Sequence, residues 1–471
     1  MSPHQSPDPT VFVLFGATGD LSKRMVMPAF YELSCRGLLP ENWLLVGNGR
    51  GEIPHESFRD QVRDSLDEFA GGVGSESDWK SFADRLRFAG GGFERSNPGS
   101  MLDVLQEAHD ELATRARYIH YLAIPPTAFV KITEGLHEHD LLPEDARVVY
   151  EKPYGTSTKT FHELDDLVQS VMKEEQVYRI DHFLGKEATQ NLHTLRYANE
   201  MFDAIWCKEH VDQVQIDVPE TLDVDDRAEF YDATGAFRDM IATHLFQVAA
   251  EVAMEPPTSM RATDLQNARE SVLQAFRPLL AEDVVFGQYE GYRDLPEVAD
   301  DSITDTLAAV RLWVDTDRWR GVPFVLRSGK QMAKSTQQVS LIMKKPDGPL
   351  GQLPGDGSVI TVTLAGSGAL SVDLVMKKPG PDMSLVEHLV GLSLDEGAAG
   401  DSLPPYVALI HDVTVGDRSL FTSSKGLARA WAVAEAIVSD PPTPVPYLPG
   451  SWGPTEADKF TGHHGWLIQR S

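Results

Sequence analysis

Cysteine is almost missing from this chain. Its 471 residues include two, Cys35 and Cys207, too few for a disulfide framework and without metal-ligand spacing. That usage fits a reducing cytoplasm, and no metal is expected. Long apolar runs are missing as well: none approaches the ~18–20 residues that a membrane span needs. Residues 1–10 are polar and Pro-rich, lack the apolar core of a signal peptide, and read as a frayed start. Positive charge is short, with 42 Lys+Arg against 71 Asp+Glu and a net charge of −29. Nucleic-acid binding requires a cationic footprint, so that partner class is excluded along with the membrane. The acidity is spread along the chain and reads as solubility rather than as an acidic tail. It also means that an anionic substrate must be held by local cations against a repulsive field. Each Lys or Arg beside a motif therefore carries more information than usual.

What is present has the size of a two-domain globular chain. Residues 11–15 (V-F-V-L-F) read as a short buried strand and 16–20 as a tight turn. Residues 22–34 follow helical spacing, with Pro28 placed to kink them. Further strands are predicted at 43–46, stopped by Gly47-Asn48-Gly49, at 118–124 and at 148–151, and helices at 58–69 and 157–175. Such alternation implies a doubly wound parallel sheet, a Rossmann-like α/β domain over 1–180. From about 181 the pattern changes. Residues 211–218 alternate as a half-buried strand, and 235–254 have the spacing of one long helix. Residues 303–314, 322–326, 339–343, 359–364 and 370–376 read as successive strands. An α+β domain with a large, mostly antiparallel sheet backed by helices is expected over 181–471. Glycine-rich stretches at 71–74, 90–92 and 397–405 are expected to be loops.

Chemistry concentrates in three places. Residues 179–187 read R-I-D-H-F-L-G-K-E, an Asp-His pair and a Gly-Lys turn with almost no filler. Asp181 is suited to orient an imidazole, and His182 with Lys186 to grip an anion. The second place is Gly16-Ala17-Thr18-Gly19-Asp20-Leu21, between a buried strand and a helix. Small residues there let a backbone approach a pyrophosphate at a helix N-terminus. The motif is G-x-x-G rather than G-x-G-x-x-G, so a purely structural tight turn is the alternative. The third place is the end of the second strand. An NAD reader carries Asp or Glu there; this chain has Arg50, a cation where the 2′-phosphate of NADP would lie, with Glu52 close behind. An exposed loop Arg is the bland reading. Tyr121 and Ala123 end a third strand at the same sheet edge, where the nicotinamide half would lie; strand filler is the alternative reading.

With these pieces placed, the chain resembles the glucose-6-phosphate dehydrogenase family along most of its length. The matching segments stand in order. They are G-A-T-G-D-L-S-K from Gly16, G-N-G-R ending at Arg50, Y-L-A-I-P-P from Tyr121, E-K-P-Y-G from Glu151 and R-I-D-H-F-L-G-K-E from Arg179. Then come F-Y-D-A-T-G-A-F-R-D-M-I-A-T-H-L from Phe230, R-W-R-G-V-P-F-V-L-R-S-G-K from Arg318, M-K-K-P-G from Met376 and G-S-W-G-P-T-E-A-D from Gly450. The resemblance implies oxidation of glucose 6-phosphate at C1 to the lactone with reduction of NADP. It implies a general base at His244, oriented by Asp181. It places Lys152 between cofactor and sugar, His182 and Lys186 on the phosphate, Glu220 and Asp239 on sugar hydroxyls, and Lys330 as a further cation. Lys23 stands after the first turn and is suited to add to it. A homodimer or homotetramer through the C-terminal sheet is implied too.

Several positions depart from the family pattern. Phe183 replaces a Tyr, so a phenolic hydroxyl to the phosphate is lost. Ala242-Thr243 replace a Gln-Asn pair, and Ala228-Glu229 a Gly-Gly. Ser335 falls where a second cation is usual, with Lys334 adjacent. Thr363 with the turn at 366–368 replaces a more polar segment, and 423–426 an acidic one. These changes spare the dyad, and by the resemblance several lie near the sugar phosphate. Two other readings therefore stand beside the first: a dehydrogenase of another aldose phosphate, and a catalytically weak NADP-binding protein on the same scaffold.

Overall fold

The computed structural model describes residues 8–470 apart from 225–226, 351–352, 356, 367 and 394–402. Most of the expected frayed start and of the loop at 397–405 lies outside the described residues, as does Ser367. The strands, in chain order, begin with β1 Thr10–Phe15, β2 Trp43–Asn48, β3 Leu86–Ala89, β4 Arg117–Leu122, β5 Arg147–Tyr150 and β6 Val177–Ile180. They continue with β7 Val211–Pro219, β8 Val284–Tyr289, β9 Leu307–Trp313, β10 Pro323–Gly329 and β11 Gln338–Met343. The last are β12 Val359–Thr363, β13 Ala369–Lys377, β14 Leu385–Ser393, β15 Phe421–Thr422 and β16 Val445–Tyr447.

The first sheet has seven strands in the order β15-β6-β5-β4-β1-β2-β3. Its strands run parallel except β15, which pairs antiparallel with β6. Every residue of β1 and β2 is buried, as expected of strands covered on both faces. β2 runs two residues past its predicted end: Gly47 and Asn48 pair with Leu14 and Phe15 on one side and with Phe88 and Ala89 on the other. Ladders on both sides hold a glycine that local propensity would have made a stop. On one face, Phe12, Leu14 and Tyr121 pack with Phe30 and Leu33 of helix Met27–Cys35. Val407, Leu409 and Ile410 of helix Pro405–Val415 join the same cluster. The other face shares one continuous core with the second sheet.

The second sheet has nine strands, β14-β13-β12-β11-β7-β10-β9-β8-β16. All neighbours are antiparallel except β7 with β10 and β8 with β16. The expected half-exposure of β7 is not met. Its polar residues Gln213, Gln215 and Asp217 are buried, because the C-terminal segment lies over them. Gln215 Nε2 donates to the Gly465 carbonyl at 2.8 Å. Asp217 takes two hydrogen bonds from Arg327, at 3.0 and 2.6 Å, and that guanidinium lies 3.8 Å from the Trp466 ring centroid. Among the described residues no helix is long and apolar enough to cross a membrane.

Three helices differ from their sequence reading. The predicted helix at 22–34 is π-wound over Ser22–Val26 and α-helical over Met27–Cys35, so the distortion falls just ahead of Pro28. The one predicted at 157–175 stops at Val171, with Ser157 as its N-cap. The long helix predicted at 235–254 is three pieces: helix Ala228–Ala236, a π-wound stretch Phe237–Leu245, and helix Phe246–Ala253. The break has a distant cause. Asp305 accepts the Phe237 N–H on its carboxylate at 2.6 Å and the Ala236 N–H on its backbone oxygen at 2.8 Å. Gly235 is at φ +70°, and a Cβ there would lie 2.3 Å from Asp305 Oδ1.

Candidate active site

The turn after β1 fits a dinucleotide. Gly16 has φ +76°, and a Cβ on it would lie 2.2 Å from the Ala123 carbonyl oxygen, so only glycine is accommodated. Its N–H and that of Ala17 both donate to the Asn48 carbonyl at 3.0 Å, which fixes the turn between β1 and β2. The helix then begins at Asp20, presenting its N-terminus to the cleft beside β4, where the strand order reverses. Ala17 is buried, Thr18 exposed, and Gly19 and Leu21 lie between. Asp20 is exposed and pairs with Arg24 at 2.8 Å, and Lys23 is exposed beside it. Arg50 is exposed just past β2, without a hydrogen bond or ion pair among the described residues. Of the two readings of Tyr121, the structure favours the filler. Strand alternation turns its ring into the core with Ile119, and its hydroxyl donates to Glu151 Oε1 at 2.6 Å. The strand end that faces the turn is Ala123.

At the C-terminal ends of β5 and β6, on the same edge of the parallel sheet as the turn after β1, four side chains form one chain of contacts. Asp181, just past β6, accepts the Phe183 N–H on Oδ1 at 2.9 Å. The same oxygen lies 2.7 Å from His244 Nδ1. His244 Nε2 lies 2.8 Å from Lys152 Nζ, and Lys152 Nζ reaches Asp239 Oδ1 at 3.1 Å. The π winding explains how Asp239 and His244 meet on one lysine. Residues five apart on an α-helix point ~140° away from each other. On a π-helix they are hydrogen-bonded neighbours on successive turns. Asp239 is thus tied to Lys152 rather than to its neighbour Arg238, which bonds the Val438 carbonyl.

Electrostatics give these groups their roles. Burial pushes the His244 imidazole below its usual range, Asp181 pulls it back up in part, and Lys152 lowers it further. The ring is therefore neutral near pH 7. With Asp181 on Nδ1 and an ammonium on Nε2, the tautomer has its proton on Nδ1 and a lone pair on Nε2. Asp239 stays below the usual carboxyl range: burial pushes up, but Lys152 and His244 outweigh it. His182 is half-buried, and burial with His244, Lys152 and Lys186 nearby depresses it strongly. In the free protein it is an N–H donor, not the cation that an anion grip suggests. Lys186 is lowered to about 8 by burial. Its ammonium sits 3.7 Å from the Phe183 ring centroid and donates to Gln337 Oε1.

Glu220 and Lys330 are brought together as an ion pair. The parallel pairing of β7 with β10 does this, aligning Pro219 with Gly329 and leaving both side chains one step beyond the strand ends. Two residues escaped sequence reasoning: Gln337 engages Lys186, and buried Tyr231 feels both Asp239 and Glu220. Phe183, expected near the phosphate, has its ring 4.9 Å from the His244 ring. Only Tyr231 carried a local signal, its place in F-Y-D-A-T-G. Among the departures, Thr243 donates to the Asp239 carbonyl at 2.6 Å, Ser335 accepts the Thr221 N–H at 2.8 Å, and Ser423 caps helix Ser424–Ser439. Asp181, His182 and His244 also place one ligand atom each within 4.8 Å of one another, as do Asp212, His463 and His464 elsewhere.

Comparison with known proteins decides the family. Residues 13–191 match "Glucose-6-phosphate dehydrogenase, NAD binding domain" and residues 193–467 match "Glucose-6-phosphate dehydrogenase, C-terminal domain". The chain belongs to the glucose-6-phosphate dehydrogenase family. A relative from Mycobacterium tuberculosis (strain H37Rv), glucose-6-phosphate 1-dehydrogenase 2, is 36% identical over 95% of this chain and 91% of its own length. Another, from Chlamydia muridarum, is 31% identical over 97% and 96%. A solved glucose-6-phosphate dehydrogenase in complex with glucose 6-phosphate superposes with a TM-score of 0.90 at 27% identity, covering 99% of each chain. Membership in this dehydrogenase family makes a nicotinamide dinucleotide the cofactor class, carried by the first sheet.

Proposed function

We propose that this chain oxidises glucose 6-phosphate at C1 to 6-phosphogluconolactone with reduction of NADP, the first step of the pentose phosphate pathway. The observation that carries the reading is the Asp181–His244–Lys152–Asp239 array. His244 Nε2, neutral and facing the site, accepts the proton of the C1 hydroxyl. Asp181 holds the ring by Nδ1 and stabilises the imidazolium that forms. The sugar hydroxyl takes the place on Nε2 that Lys152 now has, and Lys152 stays tethered to Asp239. Bound NADP supplies the hydride acceptor for C1. Lys186 and Lys330 meet the phosphate charge, with His182 as a neutral donor, while Asp239 and Glu220 accept sugar hydroxyls. Arg50 is the group for the 2′-phosphate; its exposure and lack of a protein partner support that role. Self-association through the C-terminal sheet, as a homodimer or homotetramer, is part of this reading. The apolar side chains exposed along β13 and β14 support it.

The test is NADPH formation, followed by absorbance, with glucose 6-phosphate, other aldose phosphates and free glucose. Glucose 6-phosphate should react best and free glucose poorly, since glucose brings no charge to exchange for the partners that Lys186 and Lys330 already hold. Preference for another aldose phosphate would replace the substrate. Cofactor binding without turnover on any sugar phosphate would replace the enzyme reading.

A further inference from the structure

Asp181 uses one carboxylate oxygen twice, on His244 Nδ1 and on the Phe183 N–H, and leaves the other, Oδ2, buried without a hydrogen-bond partner among the described residues. Two residues earlier, on β6, Arg179 has the complementary defect. Its terminal nitrogens bond Glu174 at 2.9 Å and Asp165 at 2.7 Å, while its Nε–H is buried without a partner among the described residues. Alternate residues of a strand project to the same face. Both side chains line one recess of about 20 Å³, whose wall also includes Tyr154, Thr422, Leu427 and Trp431 and, from the site described above, Lys152 and His244. His182, Lys186, Glu220, Asp239 and Lys330 are absent from that wall, so the recess lies beside the Asp181–His244 pair and away from the residues assigned to the phosphate.

We propose that this recess binds one water, which accepts from Arg179 Nε–H and donates to Asp181 Oδ2, and that Arg179 thereby becomes a positioning residue for the Asp181–His244 pair. The volume is what a single water needs, and two orphaned polar groups of opposite kind supply its partners. The Thr243 and Thr422 hydroxyls, both on the wall, have lone pairs for the water's second hydrogen. The bridge gives Arg179 a task beyond packing. Glu174 also bonds Arg418, and Ser424 donates to Asp165 at 2.6 Å, so the guanidinium is clamped by elements from both halves of the chain. Through the water that rigid clamp fixes the carboxylate rotamer which points Oδ1 at His244. It also draws negative charge toward Oδ2 and away from the imidazole.

This inference rests on the dehydrogenase reading for its kinetic arm but not for its structural arm. A crystal structure that resolves ordered water should show one peak within hydrogen-bond distance of both atoms. Arg179→Lys keeps the charge for Glu174 and Asp165 but puts a methylene where Nε–H stood. Leu427→Phe leaves Arg179 intact and fills the recess. Each should remove the water and lower kcat several-fold with little change in KM for glucose 6-phosphate. Each should also move the acid limb of kcat/KM upward by about half a pH unit or more, because the undiluted carboxylate holds the imidazolium proton more tightly. A packing role alone would lower stability and leave that limb in place. A dry recess in a well-ordered parent structure overturns the site. An unmoved acid limb in every variant that folds overturns the positioning role. Absence of all turnover in the parent would instead reject the dehydrogenase reading and leave the crystallographic result standing.

Discussion

Lys152 sits on the lone pair that the reaction needs, so the empty site is held closed by its own charges. His244 Nε2 is occupied by Lys152, Lys330 by Glu220, and Lys186 by Gln337. Substrate binding is an exchange of partners rather than the filling of bare cations. His244→Asn should keep cofactor and sugar binding while lowering kcat by about 10²–10⁴, the usual worth of a general base. Asp181→Asn should cost less. Because burial lowers His244, kcat/KM should reach half its plateau below the ordinary imidazole value of about 6.5, measured across a pH series. A second pH effect belongs to Lys186, lowered to about 8. Its charge is present below that value and lost above it, so KM for glucose 6-phosphate should rise on the alkaline side while kcat changes little. Arg50→Ala should raise the KM for NADP about tenfold or more and leave that for NAD nearly unchanged, since charge-assisted bonds to phosphate are worth ~1.5–3 kcal/mol. Equal effects on both cofactors would remove Arg50 from the site. The family resemblance pointed to Asp181, His244 and Lys152, and the structure brings the three side chains into contact. The pairing of Lys330 with Glu220 was not legible in the sequence, because it depends on two strand ends 110 positions apart in sequence.

The π-wound stretch Phe237–Leu245 brings Asp239 and His244 onto one lysine, Lys152. Its apolar spacing reads as an α-helix, and nothing local marks the break. The marker is Asp305, which reaches back to cap the segment's first N–H. Gly235 was visible in the sequence, but the carboxylate that requires it was not. Burial raises Asp305 to about 7, whereas an unfolded Asp titrates near 3.9. The folded state therefore holds a proton that the unfolded chain releases. This group's contribution to stability is fully present below about pH 4 and is lost as pH rises through about 7. Asp305→Asn keeps an acceptor for the Phe237 N–H but cannot ionise. Thermal unfolding should show the variant gaining on the parent between pH 5 and pH 8; a difference in Tm that is constant across that range would contradict the assignment. The strands fared better in sequence reading than the helices. Their cores are short apolar runs that form strands where expected, although β3, β6, β8, β14, β15 and β16 carry weaker signals and went unpredicted.

The molecule as a whole joins two sheets by more than their sequence order. The change from α/β to α+β pattern near residue 181 was legible, because strand spacing and turn residues change there. The return of helix Pro405–Val415 and of β15 to the first sheet was not, since neither resembles a Rossmann element in isolation. The second sheet ends in a long edge strand: Val390 and Leu392 on one face of β14 are 57% and 56% exposed. Such an edge is a template for association. Changing both residues to Asp should shift the protein to a smaller species in light scattering coupled to size exclusion, with its fold intact by circular dichroism. An unchanged mass would place the contact elsewhere. The two-residue strand β15 also ties folding to the order of synthesis. β6 leaves the ribosome at residue 180, but its partner is made only at Phe421 and Thr422, 241 residues later by subtraction. At the ~5–20 residues per second of translation, the nucleotide-binding half waits tens of seconds with an open edge beside its catalytic aspartate. The residues of the site are all made before that strand, and the edge beside Asp181 is closed among the last parts of the protein to be born.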